Sequence, residues 1–379
     1  MIERRETASG ATRYDVRLRG PDGKERSRTF RTKQEAKAYE TAEIARRNRG
    51  DWIDPRDAAR SFAEIASEWF DSNPSKRESS RARDEITLRC HLLPRFGSMP
   101  IGRIRTVDVQ SWVNEASRER APRTVRRDYG VLRAVLRYAE ATESLGRSPC
   151  RGVNLPKVEK LDRPIINADD LQRLVDELGR HGLMALLGAV LGLRWGEVAG
   201  LRARRIDFDD ATISIVEQVV RDARGASMLG APKSDAGVRT LAVPHALLTL
   251  LGDHLAEQNP EGIDPQAFIF PDTSGGHLAY NAWRRRVWDP AAHRAGLGKV
   301  DTTAGGARYT GVTFHDLRRA NATALIGAGV DVKTAQHRLG HSDVRLTLDV
   351  YAQAVDAADR SAAERIGLHF LGIDDDGNT

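Results

Sequence analysis

The 379-residue chain is 40% hydrophobic and 30% charged, a globular composition too long for one ordinary domain, so two or three are expected. Its longest apolar run, residues 183–193, is about half the ~20 residues of a membrane-spanning helix. The charged start Glu3, Arg4, Arg5, Glu6 lacks the apolar stretch of a secretory leader, and two cysteines, Cys90 and Cys150, exclude a disulfide framework or a four-cysteine zinc site, so a reducing cytoplasm is expected. The net charge of +6 is unevenly spread: residues 1–160 hold 35 Lys+Arg against 24 Asp+Glu, and residues 161–379 hold 24 against 29. The first part is thus suited to gripping a polyanion.

Residues 1–55 read as a small sheet-plus-helix module. Tyr14, Val16 and Leu18 alternate with Arg13, Arg17 and Arg19, the period of a half-buried strand. Pro21-Asp22-Gly23-Lys24 is a turn and residues 25–30 the returning strand, with Arg26 and Arg28 again on alternate positions. Thr32 followed by Glu35 is a capping-box signature for a helix to about Arg47. A two- or three-stranded sheet with one arginine-studded face suits β-ribbon reading of a DNA groove.

Residues 51–60 read as a linker, and residues 61–150 as a helical domain. Its first helix carries the stripe Phe62, Ile65, Ala66, Trp69, Phe70. A second runs from Ser80 to Leu93, where Pro94-Arg95-Phe96-Gly97 is expected to break it. A third opens at Thr106. A fourth starts near Pro122, burying Val125, Tyr129, Leu132, Val135 and Leu136 while presenting Arg123, Arg126, Arg127, Arg133 and Arg137 on its other face. After a second linker, residues 147–164, the largest domain covers residues 161–379. Asn167 caps its first helix, residues 183–193 form a buried one, and short strands are expected at 206–208, 212–216 and 239–243. Helices follow from His245, with a Gly- and Thr-rich loop over 298–311. The fold class is therefore multidomain and mainly α: a small N-terminal β-sheet-plus-helix module, an α-helical domain, and a mixed, mostly α domain with a small antiparallel sheet.

The chemistry-bearing residues lie in this last domain. His315 and Arg318 sit three apart on a helix opening at Thr313, so they share a face. His341, in Leu339-Gly340-His341, falls just past a helix end, and Tyr351 follows. Arg194 stands between two helices with Glu197 three residues on, placed to hold its guanidinium by an ion pair. Lys233 is read at the tip of a turn-rich hairpin before the Arg239 strand. Two guanidiniums suit a phosphate's non-bridging oxygens, histidines can shuttle protons, and a phenol can attack phosphorus.

In this order (Arg194, Lys233, His315-x-x-Arg318, His341, Tyr351) the residues resemble the tyrosine recombinases, and within them the phage-type integrases. The resemblance implies an arm-binding module, a core-binding domain and a catalytic domain. It implies attack by Tyr351 on DNA to give a 3′-phosphotyrosine, with Arg194, Arg318 and His341 stabilising the transition state, His315 as general base and Lys233 as acid toward the leaving 5′-oxygen. Because one phosphoester replaces another, no ATP, metal or other cofactor is expected. Implied partners are double-stranded DNA with core-type and arm-type sites, three further copies in a homotetramer on DNA, a DNA-bending host protein and an excisionase. Residues 357–366 would form a helix leading to a segment that docks on a neighbouring copy. The setting would be the bacterial cytoplasm, at the nucleoid. The alternatives are the transposase of a conjugative element, a type IB topoisomerase, and a non-catalytic DNA-binding regulator of recombinase descent.

Overall fold

Alternating strands at the start of the chain pair antiparallel in the order β1 (Ile2–Glu6), β2 (Thr12–Arg19), β3 (Glu25–Phe30). The computed structural model describes the chain except residues 21–22, 49–52, 160–164, 223–224, 233, 304–305, 346–347 and 349–379. It divides into two compact units, Met1–Lys160 and Leu161–Thr379. Helix α1 (Lys33–Asn48) packs on the first sheet, opened by the expected capping box: the Thr32 N–H donates to Glu35 and the Glu35 N–H to Thr32 Oγ1, both at 3.2 Å.

The register corrects the expected arginine face. Val16 lies opposite Arg28 and Leu18 opposite Arg26, so these two arginines share the apolar, helix-facing side. Arg28 lies over the Phe30 and Tyr39 rings at 5.5 and 5.1 Å, and Arg26 is ion-paired with Asp54. Arg13, Arg17 and Arg19 keep the other face, where acids interleave: Arg17 pairs with Glu3 at 3.2 Å and Arg5 with Asp15 at 3.1 Å. The arginines are divided between two faces because alternation orders one strand, whereas register decides what lies beside it.

The rest of this unit is a helical bundle. After a short helix α2 (Pro55–Ala58), α3 (Phe62–Asp71) begins at a capping box of Ser61 and Glu64 and buries Phe62, Ile65 and Ala66. The next helix does not stop at Pro94. It runs as α4 over Glu78–Thr87, widens to a π-helix over Leu88–Leu92, and resumes as α5 over Leu93–Phe96. A proline lacks the N–H for an i−4 bond and crowds that carbonyl; the widened turn, in which the Leu93 N–H reaches Leu88 O, makes the room. Helices α6 (Thr106–Glu119) and α7 (Pro122–Ala141) complete a core around Leu92, Phe96, Val109, Trp112, Leu132 and Leu136. Residues 147–156, expected as linker, are fastened to this bundle: Tyr129 donates to Cys150 O at 2.9 Å, and Gln110 exchanges two bonds with Asn154.

In the second unit, Asn167 and Asp170 form the capping box of α8 (Ala168–Leu178), which packs on the apolar α9 (Gly182–Val190). Helix α10 (Trp195–Ala199) leads to a sheet of β4 (Ile206–Asp207), β5 (Thr212–Ile215) and β8 (Arg239–Ala242), beside a separate hairpin of β6 (Gln218–Arg221) and β7 (Ser227–Gly230). The hairpin expected before the Arg239 strand lies earlier than read: its turn falls between Arg221 and Ser227, upstream of Lys233. After α11 (His245–Gln258), the helical run of α12 (Tyr280–Trp283) and α13 (Asp289–Arg294) is joined by a second π stretch, Arg284–Trp288, again just before a proline, Pro290.

The expected loop over 298–311 is instead a hairpin of β9 (Gly298–Thr303) and β10 (Gly306–Gly311). Gly298 and Gly311 face each other, and a Cβ on Gly298 would lie 2.4 Å from the Tyr309 ring, whose hydroxyl donates to Val312 O at 3.1 Å. The glycines there permit close strand approach. Helices α14 (Phe314–Gly327) and α15 (Val332–Leu339) follow, α14 packed on α9. The fold is mainly helical with small antiparallel sheets, as expected.

Candidate active site

Helix α15 starts at Asp331, whose carboxylate accepts the Lys333 and Thr334 N–H groups at 3.0 Å each, and ends at Gly340 in the left-handed conformation (φ 59°). The Gly340 N–H returns to His337 O at 3.0 Å and the His341 N–H to Gln336 O at 3.1 Å, the two bonds of a Schellman cap, which fixes where His341 leaves the helix. The carbonyls of Arg338, Leu339 and Gly340 remain, at the negative end of the helix dipole. Three arginines from distant elements take them. Arg239 Nε donates to Arg338 O at 2.8 Å, Arg318 Nη2 to Leu339 O, and Arg194 Nη2 to Gly340 O at 3.1 Å. A helix end thus gathers three guanidiniums that would otherwise repel.

Each arginine has a further anchor. Arg194 immediately precedes α10, and Glu197 accepts both its backbone N–H (3.0 Å) and its Nη1 (2.7 Å), the ion pair expected from the sequence. The same two carboxylate oxygens also accept Nη1 and Nη2 of Arg239 at 3.2 and 2.9 Å. The Arg239 and Glu197 side chains are 0% and 1% exposed, whereas Arg194 is 36% exposed, so of this pair of arginines only Arg194 reaches outward. Burial opposes ionisation of Glu197, but the hydrogen bonds and charge of Arg239, then Arg194, outweigh it and hold its pKa below the usual carboxylate value. Arg318 projects from the first turns of α14, set by the Thr313–Asp316 capping box, and its Nη1 donates to Gly192 O at 2.7 Å. Burial, then Arg194, lowers its pKa to about 9, which leaves it charged at neutral pH. One turn on, Asn321 Nδ2 donates to Ala189 O and Val190 O at 2.9 Å, clasping the end of α9 to α14.

Both site histidines, His315 and His341, are pushed toward the neutral form. Partial burial, then Arg318, Arg194, His315 and Arg239, lowers the pKa of His341 to about 4. His315 is also lowered, by desolvation from the protein packed around it and by Arg318, although by surface area the residue is exposed. Away from this cluster, buried His181 is lowered to about 4 by burial, with Nδ1 accepting Trp283 Nε1 at 3.4 Å. A histidine whose folded pKa lies below 6.5 binds fewer protons folded than unfolded, so its contribution is complete above about 6.5 and is lost toward 4. Thermal melts of the chain between pH 7 and pH 4 should therefore show a falling Tm, and replacing His181 by Gln should flatten part of that fall.

Of the residues singled out from the sequence, Arg194, Glu197 and Arg318 converge on one helix end, and His315 and His341 lie within their electrostatic reach. Lys233, Tyr351 and residues 357–366 lie outside the described residues. Arg123, Arg126 and Arg127 are exposed on α7, Arg126 donating to Pro156 O at 3.0 Å and Arg127 paired with buried Asp128 at 2.9 Å. Sequence reasoning missed Arg239 and Asn321. Asn321 carried a signal, since it lies three residues past Arg318 on the same face; Arg239 carried none beyond opening a strand. Among the described residues no group of three or more His, Cys, Asp and Glu is placed to hold a metal ion, and no helix is long and apolar enough to cross a membrane.

Residues 165–357 match the model of the phage integrase family, and residues 62–155 match that of the phage integrase central domain. The chain belongs to the phage integrase family. It is a site-specific tyrosine recombinase, an enzyme that breaks and rejoins DNA. Among integrase relatives, the putative prophage phiRv2 integrase of Mycobacterium tuberculosis is 27% identical over 361 residues, covering 93% of this chain and 91% of that protein. The integrase of Mycobacterium phage L5 is 25% identical, covering 89% and 88%. Among solved structures, the Tn1549 transposon integrase in complex with transposon right end DNA shares the fold with a TM-score of 0.67 at 20% identity, over 81% of this chain and 100% of that one. A lambda integrase dimer bound to a COC′ core site gives 0.56 at 17% identity, over 92% and 93%.

Proposed function

We propose that this integrase inserts the genome of a phage or related mobile element into a bacterial chromosome, and excises it with an accessory partner, through a 3′-phosphotyrosyl intermediate. Tyr351 attacks the scissile phosphate; the phenol's proton passes to His315, and the departing 5′-oxygen takes a proton from Lys233. Arg194 and Arg318, helped by His341, hold the non-bridging oxygens as negative charge builds. The 5′-hydroxyl of a partner strand then displaces the tyrosine, so each step exchanges one phosphoester for another and needs neither ATP nor a metal. A neutral His315 is the form that can accept a proton from a phenol whose ordinary pKa is about 10. The observation that carries the reading is the convergence of Arg194 and Arg318 on the end of α15, with His341 leaving from the same cap.

In this reading residues 1–55 hold arm-type sites through Arg13, Arg17 and Arg19, with Arg26 and Arg28 stiffening the sheet from its other side. Residues 61–150 hold core-type sites through Arg123, Arg126 and Arg127, and residues 161–379 carry out the chemistry. Exchange between two duplexes requires four cleavages, hence a homotetramer on DNA in the cytoplasm, at the nucleoid, with a DNA-bending host protein and an excisionase setting direction. The likeness to a transposon integrase keeps a conjugative-element origin as a second reading. A two-plasmid assay tests the proposal, one plasmid carrying the junction of the encoding element and the other its chromosomal target. Reciprocal recombinants without ATP are expected; supercoil relaxation with no exchange would point to a topoisomerase.

A further inference from the structure

We infer that Arg239 is a positioning residue of the reaction: it holds Glu197, and through Glu197 it aims Arg194, while tying the same carboxylate to the helix end from which His341 leaves. The inference rests on the proposed role of Arg194 as a phosphate ligand. Arg239 uses its whole guanidinium. Nη1 and Nη2 clamp the two oxygens of Glu197, Nη1 also donates to Gly237 O at 3.0 Å, and Nε reaches Arg338 O. Its side chain is 0% exposed against 36% for Arg194, so of the two arginines on Glu197 only Arg194 opens to solvent. Its fit at the helix end is tight: a Cβ on Gly340 would lie 2.9 Å from Arg239 Nη1.

The physical need for such a residue follows from the carboxylate. Without Arg239, Glu197 would be held only by Arg194 itself, through its backbone N–H and Nη1, with nothing outside α10 to fix the carboxylate. With Arg239 fixed on β8 and bonded to both carboxylate oxygens, Glu197 keeps one orientation, and the remaining donors of Arg194 point to one place. A lysine at position 239 would keep the charge but could not span two carboxylate oxygens and two carbonyls. Its loss should therefore appear as misdirection of Arg194 rather than as loss of DNA affinity.

The test uses the full chain and a nicked suicide duplex from the element–chromosome junction, its scissile phosphate either ordinary or replaced by a methylphosphonate. The neutral methylphosphonate lacks the charge that a guanidinium must meet. Each variant's rate of covalent adduct formation is compared with the parent chain on the same duplex, and DNA affinity is measured alongside. For both Arg239→Lys and Arg194→Met we expect losses on the order of 100-fold on the phosphate and a far smaller loss on the methylphosphonate. If Arg239→Lys fails to fold, the double variant Arg239→Met/Glu197→Gln, which leaves no buried charge unpaired, should show the same selectivity. Equal losses on both duplexes, or parent-like cleavage, for Arg239→Lys (or for the double variant in its place) overturn the inference while Arg194→Met still discriminates. If Arg194→Met itself does not discriminate, the failure belongs to the phosphate-binding reading.

Discussion

Glu197→Ala is expected to destabilise the second unit by roughly 3–5 kcal/mol, because it leaves the fully buried guanidinium of Arg239 without its counter-charge. The carboxylate is 1% exposed and accepts from two arginines at once, so water cannot replace it without opening the junction of α10, β8 and α15. Alanine also removes the oxygen that accepts the Arg194 backbone N–H at the start of α10. Glu197→Gln keeps the shape and one acceptor and should lose less. Adding Arg239→Met to Glu197→Ala should return part of the stability, since the orphaned charge is then gone. Urea unfolding of the three variants measures this; a double variant no more stable than Glu197→Ala would mean that the ion pair is not the unit of stability here.

Arg318→Lys should remove most of the catalytic rate while the chain still folds. Its fork spans Gly192 O and Leu339 O, and a lysine can reach only one of them. Losing one well-aimed donor to a developing oxyanion costs on the order of 100- to 1,000-fold in rate. A freed buried carbonyl adds roughly 1–3 kcal/mol of lost stability. Single-turnover cleavage of a suicide duplex, read beside a thermal melt, separates the two effects. A variant that cleaves at the parent rate would remove Arg318 from the proposed mechanism.

The helices were legible because their ends are written locally. Thr32 with Glu35 forms the box expected of it, and the helix starts read at Ser61, Asn167 and Thr313 close in the same way with Glu64, Asp170 and Asp316. The stripe of Phe62, Ile65 and Ala66 is buried as its period requires. What could not be read depends on distant partners. Arg26 and Arg28 alternate correctly along their strand, but the pairing with β2 puts them on the apolar side. Pro94 looked like a stop because the compensating π turn lies in the residues before it, which carry no mark of it. The hairpin over 298–311 hides behind glycines that serve close strand contact around Tyr309.

At the site, sequence order named Arg194, His315, Arg318 and His341, and the Arg194–Glu197 pair was legible because its three-residue spacing is local. Arg239 escaped because its three partners, Glu197, Gly237 and Arg338, span most of the unit, and only the closed fold reveals that one guanidinium serves them all.

In the proposed reaction the phenol of Tyr351 becomes bonded to DNA while Arg194 and Arg318, gathered at the end of α15, hold the phosphate. Protease digestion and mass spectrometry of the adduct trapped on the suicide duplex test it most directly. A nucleotide-bearing peptide containing Tyr351, carried through its 3′-phosphate, is expected, with no adduct from Tyr351→Phe. An adduct that persists in Tyr351→Phe, or that maps to another residue, would contradict it.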